Sequence, residues 1–140
     1  IWTGAPKKLL AALDVIQRKA LRIIGLGHCR NISDLAHRRG VSGLCFMHRL
    51  VHSTAPSGVL DLSPPRADLP TRATRQQPAF LQDPGKCRND YWPHSCIPLF
   101  TRNFNKLLPR IQALSSLQLF KKAVNNTSQS FHRDWEDFTA

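Results

Sequence analysis

Nucleotidyl transfer needs carboxylates set close enough together to hold two metal ions beside a phosphate. The nine acids of this 140-residue chain are scattered singly until Asp134-Trp135-Glu136-Asp137, and no strand pattern precedes that group to hold it. We therefore expect no metal-ion polymerase or nuclease site here and nominate no catalytic residue. Zinc is the next chemistry to weigh. Cys87, His94 and Cys96, with His28 or Cys29 as a fourth donor, make a possible cluster. Structural zinc ligands usually come as closely spaced pairs, and only His94 and Cys96 meet that spacing. Idle or buried thiols are the expected state, and with no C-x-x-C pair a reducing compartment is the simpler setting. No nucleophile elbow surrounds any cysteine. The "GLG" at 25–27 lacks the later Gly and Lys of a phosphate-cradling loop and reads as a helix stop.

Binding chemistry is better represented than catalysis. Twenty Lys and Arg against nine acids give a formal charge of +11. Such an excess bears on partners rather than fold, and polyanions are the default partner. Arg outnumbers Lys 13 to 7, which favours nucleic acid, because the guanidinium fork matches phosphate and stacks on bases. The candidate contacts are Arg18, Lys19 and Arg22, then Arg38, Arg39 and Arg49, then Arg72 and Arg75, and finally Arg102 and Lys121. Tyr91 and Trp92, just before a proline in a basic segment, are candidates for stacking on bases. The competing reading for each cation is a solvated helix face.

These residues must be positioned by helices. Pro6 suits a first turn, and Leu9, Leu13, Ile16, Ala20 and Ile23 recur at three- and four-residue steps, one stripe of a helix expected to pack inward. Asp14 stands four residues before Arg18, a weak local pair. A second helical region spans 31–52, with Asn31 or Ser33 as cap and Leu44, Met47 and Val51 on one stripe. Gly40 and Gly43 each cost about 1 kcal/mol in a helix interior, which leaves one helix or two short ones, at 33–39 and 42–52. Eight of the ten prolines fall in 53–98, so that stretch is expected to be extended, with one or two short strands at most. Then Phe100, Phe104, Leu107 and Leu108 share a face that Pro109 ends. Leu117, Phe120 and Val124 share another, capped by Ser115 or Ser116. The expected fold is mainly α: small helical segments joined by a long Pro/Arg-rich extended connector. Its segments are 1–52 (helical), 53–98 (connector), 99–125 (helical) and 126–140, a tail whose acidic end can fold onto the basic body or stay free.

The order of these blocks resembles the region that follows the polymerase core in reverse transcriptases of LINE-type, jockey-like retrotransposons, which lack long terminal repeats. The first matching block is Ile16, Gln17, Lys19, Ala20, Leu21 and Arg22. The second is Arg38, Arg39, Leu44, Arg49 and His52. The third is Arg102, Asn105, Leu108 and Pro109, with Phe120 and Lys121 after it. Phe104 stands where the family usually has Trp, and His48 where an aromatic precedes Arg49. The resemblance implies a parent that is an RNA-directed DNA polymerase using Mg, usually with an endonuclease. None of those active-site residues falls in this chain, so it implies no cofactor here.

The expectation is thus a non-catalytic piece of a retroelement polyprotein that helps hold RNA or DNA, with the rest of the parent as a second partner. The alternatives are a protein-docking module and a decayed remnant without function. No stretch approaches the roughly 20 apolar residues of a membrane span, so no membrane partner is expected. The first ten residues lack the order of a signal peptide, which predicts an intracellular setting, cytoplasmic or nuclear, rather than secretion. A first residue of Ile rather than Met suggests a piece of a longer frame or a processed product.

Overall fold

The computed structural model describes residues 5–26, 34–67, 80–82, 85 and 95–128. The fold is mainly α. In chain order the elements are α1 (Lys7–Ile23), α2 (Leu35–Val51), α3 (Ser57–Leu60), α4 (Cys96–Asn105), α5 (Pro109–Gln112) and α6 (Leu117–Ser128). α2 is the central element. It packs on α4 and α6, and α1 lies against it.

α1 ends where the glycine pattern placed its end. Gly25 takes φ +74°, the Gly25 N–H donates to the Arg22 carbonyl, and the Leu26 N–H donates to that of Leu21. That is the paired closure of a helix C-terminus, in which the left-handed residue suits glycine. Its rotation differs from expectation. Leu9, Ile16 and Ile23 are 60%, 61% and 84% exposed, and Ala20 is exposed as well. Leu10 is buried instead, with Leu13, Asp14, Gln17 and Leu21 half-buried on the same side. A long-range ion pair lies on this inward side beside the buried Leu10. Arg39 of α2 donates through Nη1 and Nη2 to the two carboxylate oxygens of Asp14, at 3.2 and 3.3 Å. This two-pronged contact holds the Asp14 side of α1 to α2. The local Asp14–Arg18 pair does not form through the carboxylate; Arg18 Nε reaches the Asp14 backbone carbonyl at 3.4 Å.

α2 is one continuous helix rather than two, and Asp34, not Asn31 or Ser33, stands at its N-cap. Its glycines face the core instead of breaking the helix. Gly43 is buried, and a Cβ built there would overlap the ring carbons of Phe100 in α4. Val41, Leu44, Met47 and Leu50 complete the inner face. After the cap residue His52, Ser53 adopts φ +52° while the N–H groups of Ser53 and Thr54 close on the Leu50 and Arg49 carbonyls.

The described parts of the connector are more ordered than an extended chain. They include α3 and a single antiparallel bridge between Arg66 and Leu81. Leu81 is a core residue. The Asn105 side chain holds it on both sides: the Leu81 N–H donates to Asn105 Oδ1, and Asn105 Nδ2 donates to the Leu81 carbonyl, both at 2.8 Å. One amide thus replaces a neighbouring strand and satisfies both backbone groups. Phe100, Phe104 and Leu107 are buried as expected, but Leu108 is 43% exposed. Pro109 does not simply end α4. It opens α5, whose first position suits a residue without an N–H. This turns Ile111 and Gln112 inward, and Gln112 Nε2 donates to the Phe104 carbonyl at 2.7 Å. In α6, Phe120 and Val124 are buried, and the Phe120 N–H donates to the Ser116 carbonyl.

The rings of Phe80, Phe104, Phe120 and His48 make a row through the core, with centroid spacings of 5.8, 5.9 and 4.4 Å. His48 Nε2 lies 2.6 Å from the Leu114 carbonyl. A carbonyl only accepts, so Nε2 carries the proton of the neutral ring. Nδ1 is buried with no hydrogen-bond partner among the described residues. Burial lowers the His48 pKa below the usual histidine value, and the neighbouring His52 adds to this; the bond to Leu114 opposes it. The unfolded chain therefore takes up a proton, near the ordinary pKa of about 6.5, that folded His48 refuses. The resulting stability is fully present above that pH and declines as pH falls toward the lowered folded value. Urea midpoints measured from neutral to mildly acidic pH should drop, and His48→Gln, which keeps a donor for Leu114, should flatten the drop. An identical slope in the variant would exclude His48 as the source.

Candidate nucleic-acid interface

The outward surface of α1 divides into two sectors. Successive residues advance by about 100° around the axis. Leu9, Ala12, Ile16, Ala20 and Ile23 therefore form an exposed apolar stripe, while Lys8, Arg18, Lys19 and Arg22 form a cationic sector beside it. Lys8, Lys19 and Arg22 are exposed and make no ion pair among the described residues. Arg22 lies in the last turn of α1, where the helix dipole favours a cation.

α2 and α6 carry a second group. Arg38 and Arg49 are exposed, with Ser42 between them on the helix side opposite the core. Lys121 of α6 is exposed, and with Arg49 it acts on the Cys45 thiol. Burial raises the pKa of that thiol, and the two cations pull it back. Arg49 and Lys121 are therefore both near Cys45. Arg39 is different. Its side chain is only 16% exposed and its guanidinium is occupied by Asp14, so it joins two helices instead of facing solvent. Adjacent Arg38 and Arg39 thus have separate duties, divided by a single helical step.

Arg102 is exposed on α4, with Nε donating to the Pro98 carbonyl at 3.2 Å. Arg72, Arg75, Tyr91 and Trp92 lie outside the described residues, as do His28, Cys29, Cys87, His94 and the acidic group at 134–137. The candidate contacts did not include Lys8, Arg66, Lys106, Arg110 and Lys122, all exposed cations. Arg110 was hidden because Pro109 read as the end of a helix rather than the start of the next. Phe104, an aromatic that a base could stack on, is fully buried and serves the core.

Among the described residues no group of three or more His, Cys, Asp and Glu stands close enough to hold a metal ion. The described acids are Asp14, Asp34 and Asp61, and Asp14 is held by Arg39. A cavity of about 200 Å³ lies between the end of α2, α3 and the Arg66–Leu81 bridge. Leu50, Leu60, Pro64, Arg66 and Leu81 are among its walls, and among the described residues no carboxylate, thiol or imidazole lines it. Among the described residues no helix is long and apolar enough to cross a membrane. Compared with protein-family models, curated proteins and solved structures, the chain has no match.

Proposed function

We propose that this chain is a non-catalytic helical module that binds the phosphate backbone of RNA or DNA, and that it derives from the region following the polymerase core of a retroelement reverse transcriptase. The observation that carries the binding reading is the cationic sector of α1, whose Lys8, Lys19 and Arg22 stand in solvent without a partner among the described residues. Arg38, Arg49 and Lys121 supply a second set. The order of sequence blocks supports the parentage. Arg39 is not among the proposed contacts.

Binding to phosphates releases counterions, so affinity must fall as salt rises. The full chain is titrated with labelled single-stranded RNA and with duplex DNA at several salt concentrations. Replacing Lys8, Lys19 and Arg22 together with Gln should leave the far-ultraviolet circular dichroism unchanged, because all three are exposed. It should also reduce the salt slope on RNA by roughly 2, at about 0.7 per phosphate contact. The same change at Arg38, Arg49 and Lys121 reports the share of the second set. Affinity that is indifferent to salt would remove the proposal.

A second reading is a docking module for another part of a longer chain. The exposed apolar stripe of α1 is the observation that favours it.

A further inference from the structure

The cationic sector of α1 suits any polyanion, but a nucleic-acid backbone has no use for the stripe beside it. Leu9, Ala12, Ile16, Ala20 and Ile23 are exposed over four turns, and Ile24 beyond them is 62% exposed. Apolar surface gathered in one continuous stripe marks a contact face, unlike apolar side chains scattered singly. The expectation of no membrane partner rests on the shortness of the apolar runs, which bears on spanning a bilayer. A helix that lies along a bilayer needs instead an outward apolar face with cations beside it.

The rotation of α1 provides that arrangement. Leu9, Ala12, Ala20 and Ile23 fall within about 40° of Ile16 around the axis, and Ile24 extends the face to about 80°. Lys19 and Lys8 stand at about 60° and 80° on the other side, with Arg22 behind them at about 120°. The buried or half-buried Leu10, Asp14, Gln17 and Leu21 lie about 100–160° from Ile16. With the stripe set down on a flat surface, the Asp14–Arg39 contact therefore keeps α2 on the far side. Asp14 is the one acid of α1, so the outward face carries no negative charge.

The charges select the occupant. A second copy would set Lys8 and Lys19 against their own kind. A partner helix would meet Leu9, Ile16 and Ile23 along one edge of a heptad seam, with Ala12 and Lys19 along the other, and a charge within the seam costs stability. An anionic bilayer accepts both surfaces. Its acyl chains take the stripe and its headgroups take the cations, while the stem of Lys19 lies along apolar surface with the ammonium reaching outward. We infer that α1 is a peripheral anchor that lies flat on an anionic lipid surface, with Leu9, Ile16, Ile23 and Ile24 at the acyl boundary and Lys8 and Lys19 on the headgroups. This anchoring goes beyond the phosphate-backbone reading and does not require it.

The full chain is sedimented with vesicles of phosphatidylcholine alone and of phosphatidylcholine mixed with phosphatidylserine. The expected result is recovery with the anionic vesicles and little with the neutral ones. Ile23→Ser, at a position 84% exposed, should lower the partition roughly tenfold, as for an isoleucine withdrawn from an apolar phase, and leave RNA affinity unchanged. Lys8→Gln and Lys19→Gln should each lower it about fivefold. Circular dichroism verifies folding, and Ile23→Ala replaces a serine variant that loses helix. A folded chain that stays in the supernatant with both vesicles overturns the inference and leaves the RNA titrations as they stand. Recovery that ignores both Ile16→Ser and Ile23→Ser also overturns it, because charge alone then holds the chain. Self-association that Ile16→Ser abolishes, without vesicle binding, gives the stripe to a second copy and overturns it too.

Discussion

Gly43→Ala is expected to destabilise the protein at the upper end of the 1–3 kcal/mol typical of overpacking, against the direction that helix propensity predicts. In an exposed helix the change would gain about 1 kcal/mol. Here the new methyl would fall on the ring carbons of Phe100, which is itself 1% exposed. A phenylalanine ring has two dihedrals with which to move, and this one is closed in by the core. The helices must separate or the ring must leave its place. Urea denaturation of the two forms measures the cost. Combined with Phe100→Leu, Gly43→Ala should cost clearly less than in the parent, and that non-additivity identifies the contact between the two positions. A more stable Gly43→Ala protein would refute the close approach of α2 and α4.

Phe104→Ala should cost about 3–5 kcal/mol, the usual range for a buried phenylalanine. Total stabilities of domains are about 5–15 kcal/mol, so this change leaves little in reserve. The residue is fully buried, with Phe80 on one side and Phe120 stacked on the other. Its carbonyl also receives Gln112, so the gap would open beside a buried polar contact that needs its present geometry. Leu119→Ala is the internal control. Leu119 is 57% exposed, and its loss should register within about 0.5 kcal/mol. Phe104→Leu should retain most of the stability and leave nucleic-acid affinity unchanged. A loss of affinity in a folded Phe104→Leu protein would return this ring to the interface.

Helix ends and inner faces built from local signals were readable in the sequence. Gly25 marks the stop of α1 because only a left-handed residue closes that turn with two backbone bonds. Phe100, Phe104, Phe120 and Val124 are buried because their spacing leaves one side of each helix apolar. Features that depend on distant residues were not readable. α1 carries two plausible apolar edges, Leu9–Ile16–Ile23 and Leu10–Leu21, with Leu13 between them, and periodicity alone favoured the first together with Leu13. The buried edge is the one beside Asp14, whose partner Arg39 is 25 residues away. Gly43 read as a helix breaker because its reason, Phe100, lies on another element. The clamp of Asn105 on Leu81 is a side chain acting as a strand, a device with no period to detect. For the candidate interface, sequence supplied the cations but not their occupancy. Arg38 and Arg39 are equivalent as letters, and one of them is held by Asp14.

The central place of α2 has a consequence for the order in which the chain is made. Its inner face is covered by α4 and α6, which are synthesised after it. Seventy-three residues separate Val51 from Val124. At about 5–20 residues per second, Val41, Leu44, Met47 and Leu50 emerge roughly 4–15 seconds before α6 is complete. Until α4 follows, the inner face of α2 has neither of the helices that cover it. Timing on the ribosome, and whatever shields α2 there, therefore bears on yield as much as the stability of the finished fold does.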